Sequence, residues 1–128
     1  MENINFKTSP ETPYFPDVFC DYKTGVCELL GESYMEETYK FYTPIIDWMN
    51  DFISERKSIV FNFKLTYFNT STSRIILDIL DILKVYQANG GNVTINWYYR
   101  ENDPDMIYEV EDFQNEADVK VNLIPFEK

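Results

Sequence analysis

The feature that most constrains this chain is a β-branched, aromatic run that passes directly into a helix-period pattern. Ser58-Ile59-Val60-Phe61-Asn62-Phe63-Lys64-Leu65-Thr66 alternates in character, with Phe61, Phe63 and Leu65 on one face of a strand. Val60, Asn62, Lys64 and Thr66 share the other face, which is far less apolar. A sheet with one greasy face calls for helices gathered mainly on that side. Further along, Ile75, Ile76, Ile79, Leu80, Leu83 and Tyr86 recur at three- and four-residue steps, the spacing of an amphipathic helix. Strand followed by helix followed by strand implies parallel pairing through right-handed crossovers.

The remaining elements extend that unit in both directions. The residues through Thr12, ending Thr8-Ser9-Pro10-Glu11-Thr12, read as a flexible lead-in, and residues 13–128 as a single domain. Strands are expected from Phe15 to Tyr22 and from Val26 to Gly31, joined by a turn centred on Lys23-Thr24. A first helix is expected from Glu36 to Arg56, with Glu36 and Glu37 early and Arg56 and Lys57 late, as the helix dipole favours. Pro44 inside it predicts a bend or a restart near Thr43. The second helix ends at Asn89-Gly90-Gly91-Asn92, which can supply a left-handed cap. Val93–Tyr99 alternates as a strand, Pro104–Asn115 is a helix with Asp103 as N-cap, and Val119–Ile124 is a last strand. The order is β-β-α-β-α-β-α-β, an α/β mixed sheet in one domain.

A chain of 128 residues suits one core. No apolar stretch is long enough to span a bilayer and the N-terminus lacks a signal-peptide pattern, so a cytoplasmic protein is expected. Twenty-two acidic against 11 basic residues leave a net charge of −11, which repels phosphate backbones and disfavours nucleic acid. The absence of histidine removes the usual general base and the commonest zinc ligand, so no metal or cofactor is expected. Cys20 and Cys27 flank the first turn and should face each other across it, as thiols in a reducing compartment.

Function is concentrated at the strand-to-helix junction, Asn69-Thr70-Ser71-Thr72-Ser73. A helix N-terminus presents unpaired N–H groups and a partial positive charge, so it receives an anion well. Here the residues at that spot are ones a kinase can phosphorylate. One helix cap needs one such side chain, and five in succession exceed the need. A phosphate there adds about −1.5 to −2 charges, tolerated by the helix end and by Arg74 but not by an acidic surface. A change of partner affinity, rather than of fold, is the expected result.

Tyr67-Phe68-Asn69-Thr70-Ser71-Thr72-Ser73, followed by Leu77-Asp78-Ile79, resembles the signature of the SiaC family of bacterial regulatory phosphoproteins. Gly31-Glu32-Ser33-Tyr34 and Ile46-Asp47-Trp48 are similar to that family as well, and the resemblance runs from about Thr12 to Leu123. Met35-Glu36-Glu37 stands where Pro-Glu-Asn is common in the family. The resemblance implies a STAS-like fold and a protein without catalysis of its own. It implies phosphorylation by a partner kinase on Thr70, with Asn69 and Ser71 beside it as partner-binding residues. It also implies dephosphorylation by a metal-dependent PP2C-type phosphatase, and activation of a diguanylate cyclase by the unphosphorylated form. Cyclic di-GMP and biofilm growth would follow.

Two rival readings remain from the residues. Asp78 with Asp81, or Glu109, Glu111 and Asp112, could serve acid–base catalysis, although such carboxylates usually line solvated helix faces. Tyr14, Phe15, Trp97, Tyr98 and Tyr99 could form an aromatic patch on a constitutive interaction domain without phospho-switching.

Overall fold

Period-two burial runs from Ile59 to Thr66 of the central strand in the computed structural model, which describes residues 1–126. Ile59, Phe61, Phe63 and Leu65 are buried, while Val60, Asn62, Lys64 and Thr66 are only half-buried. The elements are β1 (Ile4–Phe6), β2 (Asp17–Asp21), β3 (Val26–Ser33), α1 (Thr38–Ile53), β4 (Ile59–Phe68), α2 (Thr70–Ala88), β5 (Val93–Arg100), α3 (Asp105–Ala117) and β6 (Asn122–Phe126). They build a six-stranded sheet in chain order, antiparallel for β1–β2–β3 and parallel from β3 to β6. The expected mixed α/β architecture and element order are present, with one further strand at the front.

That strand corrects the loose lead-in. Ile4 pairs with Cys20 and Phe6 with Val18, and Trp48 Nε1 donates to the Glu2 carbonyl at 2.8 Å. Thr8 N–H is held by Asp17 Oδ1 at 2.8 Å. Three residues are too few to leave a readable alternation, so only the pairing discloses the strand.

Two turns follow the sequence closely. Gly25 has φ +74°, and a Cβ there would meet the Ser58 carbonyl at 2.3 Å, so the β2–β3 hairpin needs glycine. Cys20 and Cys27 are paired in register as buried free thiols, and their mutual contact with burial raises the Cys27 pKa. Gly90, at φ +93°, closes α2 as the Asn89-Gly90 signal predicts.

The helix boundaries differ from expectation. α1 starts at Thr38 and runs unbroken through Pro44, leaving Glu36 and Glu37 before it and Arg56 beyond its end. Pro44 forfeits one bond to Lys40, whose exposed carbonyl turn can be met by water. At α3 Pro104 occupies the cap position and Asp103 makes no side-chain cap bond. The last strand is shifted to Asn122–Phe126, although Val119 and Val121 are buried ahead of it. Pro125 is accepted because β6 is an edge.

The core lies between the sheet and the helices. Trp97 stacks on Phe63 with ring centroids 4.7 Å apart, and Trp48 stacks on Phe52 at 5.0 Å. The helix-free face is pinned by asparagines in register: Asn96 Nδ2 donates to Asn62 Oδ1 at 2.9 Å, and Asn122 Nδ2 to Asn96 Oδ1 at 3.0 Å.

Candidate functional site

The junction is shaped by a register slip one strand away. Gly31 opposes Leu65, but Glu32 opposes Tyr67, so Thr66 has no partner across the β3–β4 ladder. Gly31 carries φ +109° at this bulge, and Thr66 Oγ1 donates to the Gly31 carbonyl at 3.3 Å. The slip changes the phase of β4. Thr66 and Tyr67 both lie away from the core, while Phe68 packs against Trp97 and Phe113 at 5.9 and 5.7 Å. Phe68 thereby anchors the strand end, and the chain leaves the sheet at Asn69.

Asn69 is the N-cap. Its backbone is extended, its Oδ1 accepts from Thr72 N–H at 2.9 Å, and its own N–H donates to the Ser33 carbonyl at 3.1 Å. Asn69 Nδ2 reaches the Met35 carbonyl at 3.5 Å. The first turn of α2 contains no acidic side chain, so its positive end is uncompensated by the helix itself.

The five polar residues separate into two groups. Asn69 caps, and Ser73 Oγ returns to the Asn69 carbonyl at 3.3 Å. Thr72 is fully buried, with Oγ1 2.8 Å from Ser33 Oγ and 3.1 Å from the Ser33 carbonyl. Ser33 Oγ is in turn 2.8 Å from the hydroxyl of buried Tyr42 on α1. Burial pushes the Tyr42 pKa up to about 12, against a smaller opposing effect of the Ser33 bond. Thr70 and Ser71 are exposed and take no part in the cap or in this hydroxyl chain. The apparent surplus in the sequence is therefore two residues rather than four. Arg74 is exposed one helical turn after Thr70.

Sequence reasoning did not find the Thr72–Ser33–Tyr42 chain. Its members come from β3, α2 and α1, and only the fold brings them together. Ser33 and Thr72 do lie within the two quoted motifs, which was the one available signal.

The two rival carboxylate groups lie on different helices, α2 and α3. Asp78 and Asp81 lie on the solvent side of α2, and Glu109, Glu111 and Asp112 on that of α3. Burial, followed by the charges of Asp103, Asp105 and Asp112, raises the Glu109 pKa, as expected of a crowded acidic surface. The five-residue aromatic patch is also dispersed. Trp97 is core, Tyr98 lies on the helix-free face over Lys64, and Tyr14 and Phe15 sit beside Tyr34 and Phe41. Among the described residues no cluster of acidic or cysteine side chains could hold a metal ion, and no helix is long and apolar enough to cross a membrane.

Fold and site together define a single-domain α/β protein with an exposed threonine in the first turn of a central helix. The chain belongs to the SiaC family: the family model described as "SiaC family regulatory phosphoprotein" matches residues 9–126. It is 28% identical over 109 residues to an uncharacterised protein of Pseudomonas aeruginosa (strain UCBPP-PA14), covering 84% of this chain and 86% of that one. The crystal structure of apo-SiaC from Pseudomonas aeruginosa superposes with TM-score 0.88 at 23% identity, covering 97% of this chain and 99% of that chain. SiaC in the crystal structure of diguanylate cyclase SiaD with its activator SiaC superposes with TM-score 0.87 at 24% identity, covering 98% and 100%. At these identities the structural likeness establishes the shared fold.

Proposed function

We propose that this protein is a non-catalytic phospho-switch whose removable charge is carried by Thr70. A partner kinase phosphorylates the Thr70 hydroxyl and a PP2C-type phosphatase removes the phosphate. The unphosphorylated form docks on and activates an effector, a diguanylate cyclase, and the phosphorylated form releases it. The supporting observation is the contrast within one helical turn: Thr70 is open to solvent, while Thr72 is sealed at 0% exposure. An enzyme can reach the first and not the second. Membership of a regulatory phosphoprotein family supports a phosphate as the label, and the solved complex of SiaC with SiaD supports a cyclase as the effector. Half-buried Asn69 and exposed Ser71 flank the label, which suits them to partner contact.

The charge acts locally. An added phosphate sits at the positive end of α2, where it costs the fold little, yet it changes the field that a docking surface meets. Incubation with the cognate kinase should add a single phosphate by intact mass, mapping to Thr70 and absent from Thr70→Ala. Thr70→Glu should weaken effector binding while Thr70→Ala retains it. Modification at Ser71 would move the site by one residue, and equal affinity across the three proteins would remove the switch.

A further inference from the structure

Three tyrosines beside the junction stay exposed although they touch one another. Tyr14, Tyr34 and Tyr67 are 37%, 39% and 53% exposed. Their rings form a continuous row, with centroids 6.1 Å apart for Tyr14–Tyr34 and 5.6 Å for Tyr34–Tyr67. The row is a product of the fold. The β3 bulge places Tyr67 opposite Glu32, one residue short of the Ser33–Phe68 pair, and Tyr34 N–H donates to the Tyr14 carbonyl at 3.0 Å. Ordinary burial would have used such rings elsewhere, and contiguous exposed aromatic surface marks contact sites.

The row borders a cleft of about 480 Å³ whose wall and rim include Tyr14, Tyr34, Glu36 and Glu37. Both glutamates are exposed, and Glu32 is exposed at the neighbouring strand end. Lys40 Nζ lies 3.7 Å from Glu37 in a pair whose side chains are 83% and 74% exposed. Such a pair is worth little and yields readily to a competitor. Aromatic faces combined with carboxylates are complementary to a planar cation. A guanidinium stacks on tyrosine while donating in pairs to carboxylate oxygens, which an ammonium does less well.

We infer that the Tyr14–Tyr34–Tyr67 row with Glu36 and Glu37 is a docking cleft for an arginine-bearing segment of a partner protein. The inference is independent of which hydroxyl is phosphorylated, since it concerns the unmodified chain. Because Asn69 N–H is bonded to the Ser33 carbonyl, next to Tyr34, a segment seated in the cleft lies against the first turn of α2.

The test uses the full unphosphorylated chain labelled with carbon-13 in its tyrosine rings, titrated with acetylated, amidated Leu-Arg-Arg-Leu. Saturable shifts are expected at Tyr14, Tyr34 and Tyr67, weakening as salt rises. Leu-Glu-Glu-Leu should produce none, and Leu-Lys-Lys-Leu should bind about threefold or more weakly. The double variant Glu36→Gln/Glu37→Gln and the single variant Tyr34→Ala should each lose about threefold or more in affinity. Glu111→Gln/Glu116→Gln on α3, which removes the same charge elsewhere, should bind as the unaltered chain does. Equal response to the acidic peptide, shifts spread over other tyrosines, or equal loss in the α3 control would overturn the inference.

Discussion

Thr70 and Thr72 are the same residue type two positions apart, and replacing each with valine separates an alcohol that holds the fold from one that does not. Valine keeps the shape and β-branching of threonine, so helix propensity and volume barely change and only the hydroxyl is lost. At Thr72 that hydroxyl lies 2.8 Å from Ser33 Oγ and 3.1 Å from the Ser33 carbonyl, in a site with no exposure. Removing it leaves a buried polar group short of a partner, at a cost of about 2 kcal/mol. For a domain of this size that lowers Tm by roughly 5–10 °C. Thr70→Val, on exposed surface outside the cap, should change stability by less than about 0.5 kcal/mol. Urea denaturation of both variants and of Ser33→Ala gives the comparison, with m unchanged and midpoint shifted. The double variant Ser33→Ala/Thr72→Val should fall short of the sum of the singles, because the two hydroxyls share one bond. If Thr72→Val costs no more than Thr70→Val, the hydroxyl chain does not hold α2 to β3.

Two further outcomes follow from the same region. Tyr42 keeps its proton in the folded chain up to about 12, whereas the unfolded chain releases it near the ordinary tyrosine value of 10.0. Over that interval the native state binds more protons, so stability present below the lower value is lost as pH rises, by about 2–3 kcal/mol. Tyr42→Phe should flatten this alkaline decline in thermal scans, and an unchanged decline would contradict the burial of the phenol. Asn69→Ala removes the acceptor for Thr72 N–H and should cost about 1 kcal/mol, with Asn69→Ser recovering most of it. Hydrogen exchange at the first-turn amides of α2 reads the fraying directly, and protection equal to the unaltered chain would show that the cap is dispensable.

The chain belongs to a regulatory phosphoprotein family, and at its central strand–helix boundary Thr70 is open to solvent. The surface around it divides labour. In the proposed reading Thr70 would carry the removable charge, and the exposed tyrosine row with its glutamates would supply an adjoining area for contact.

Much was legible from residues alone, for a physical reason. Alternation in β4 and three- and four-residue spacing in α2 are properties of local geometry, so they survive in one dimension. The hairpin at Gly25, the cap at Gly90 and the pairing of Cys20 with Cys27 depend on neighbours a few residues away and were legible too. What needed the tertiary structure was everything set by strands meeting across the sheet. β1 exists only because β2 offers an edge to three residues. The bulge at Gly31, which turns Phe68 inward and leaves Tyr67 out, comes from the register of β3 on β4. The fate of each hydroxyl in Asn69–Ser73 was decided in the same way, because Thr72 is buried by contact with Ser33, 39 residues earlier in the chain. Composition could announce that alcohols gather at a helix start; only packing could choose which one faces the solvent.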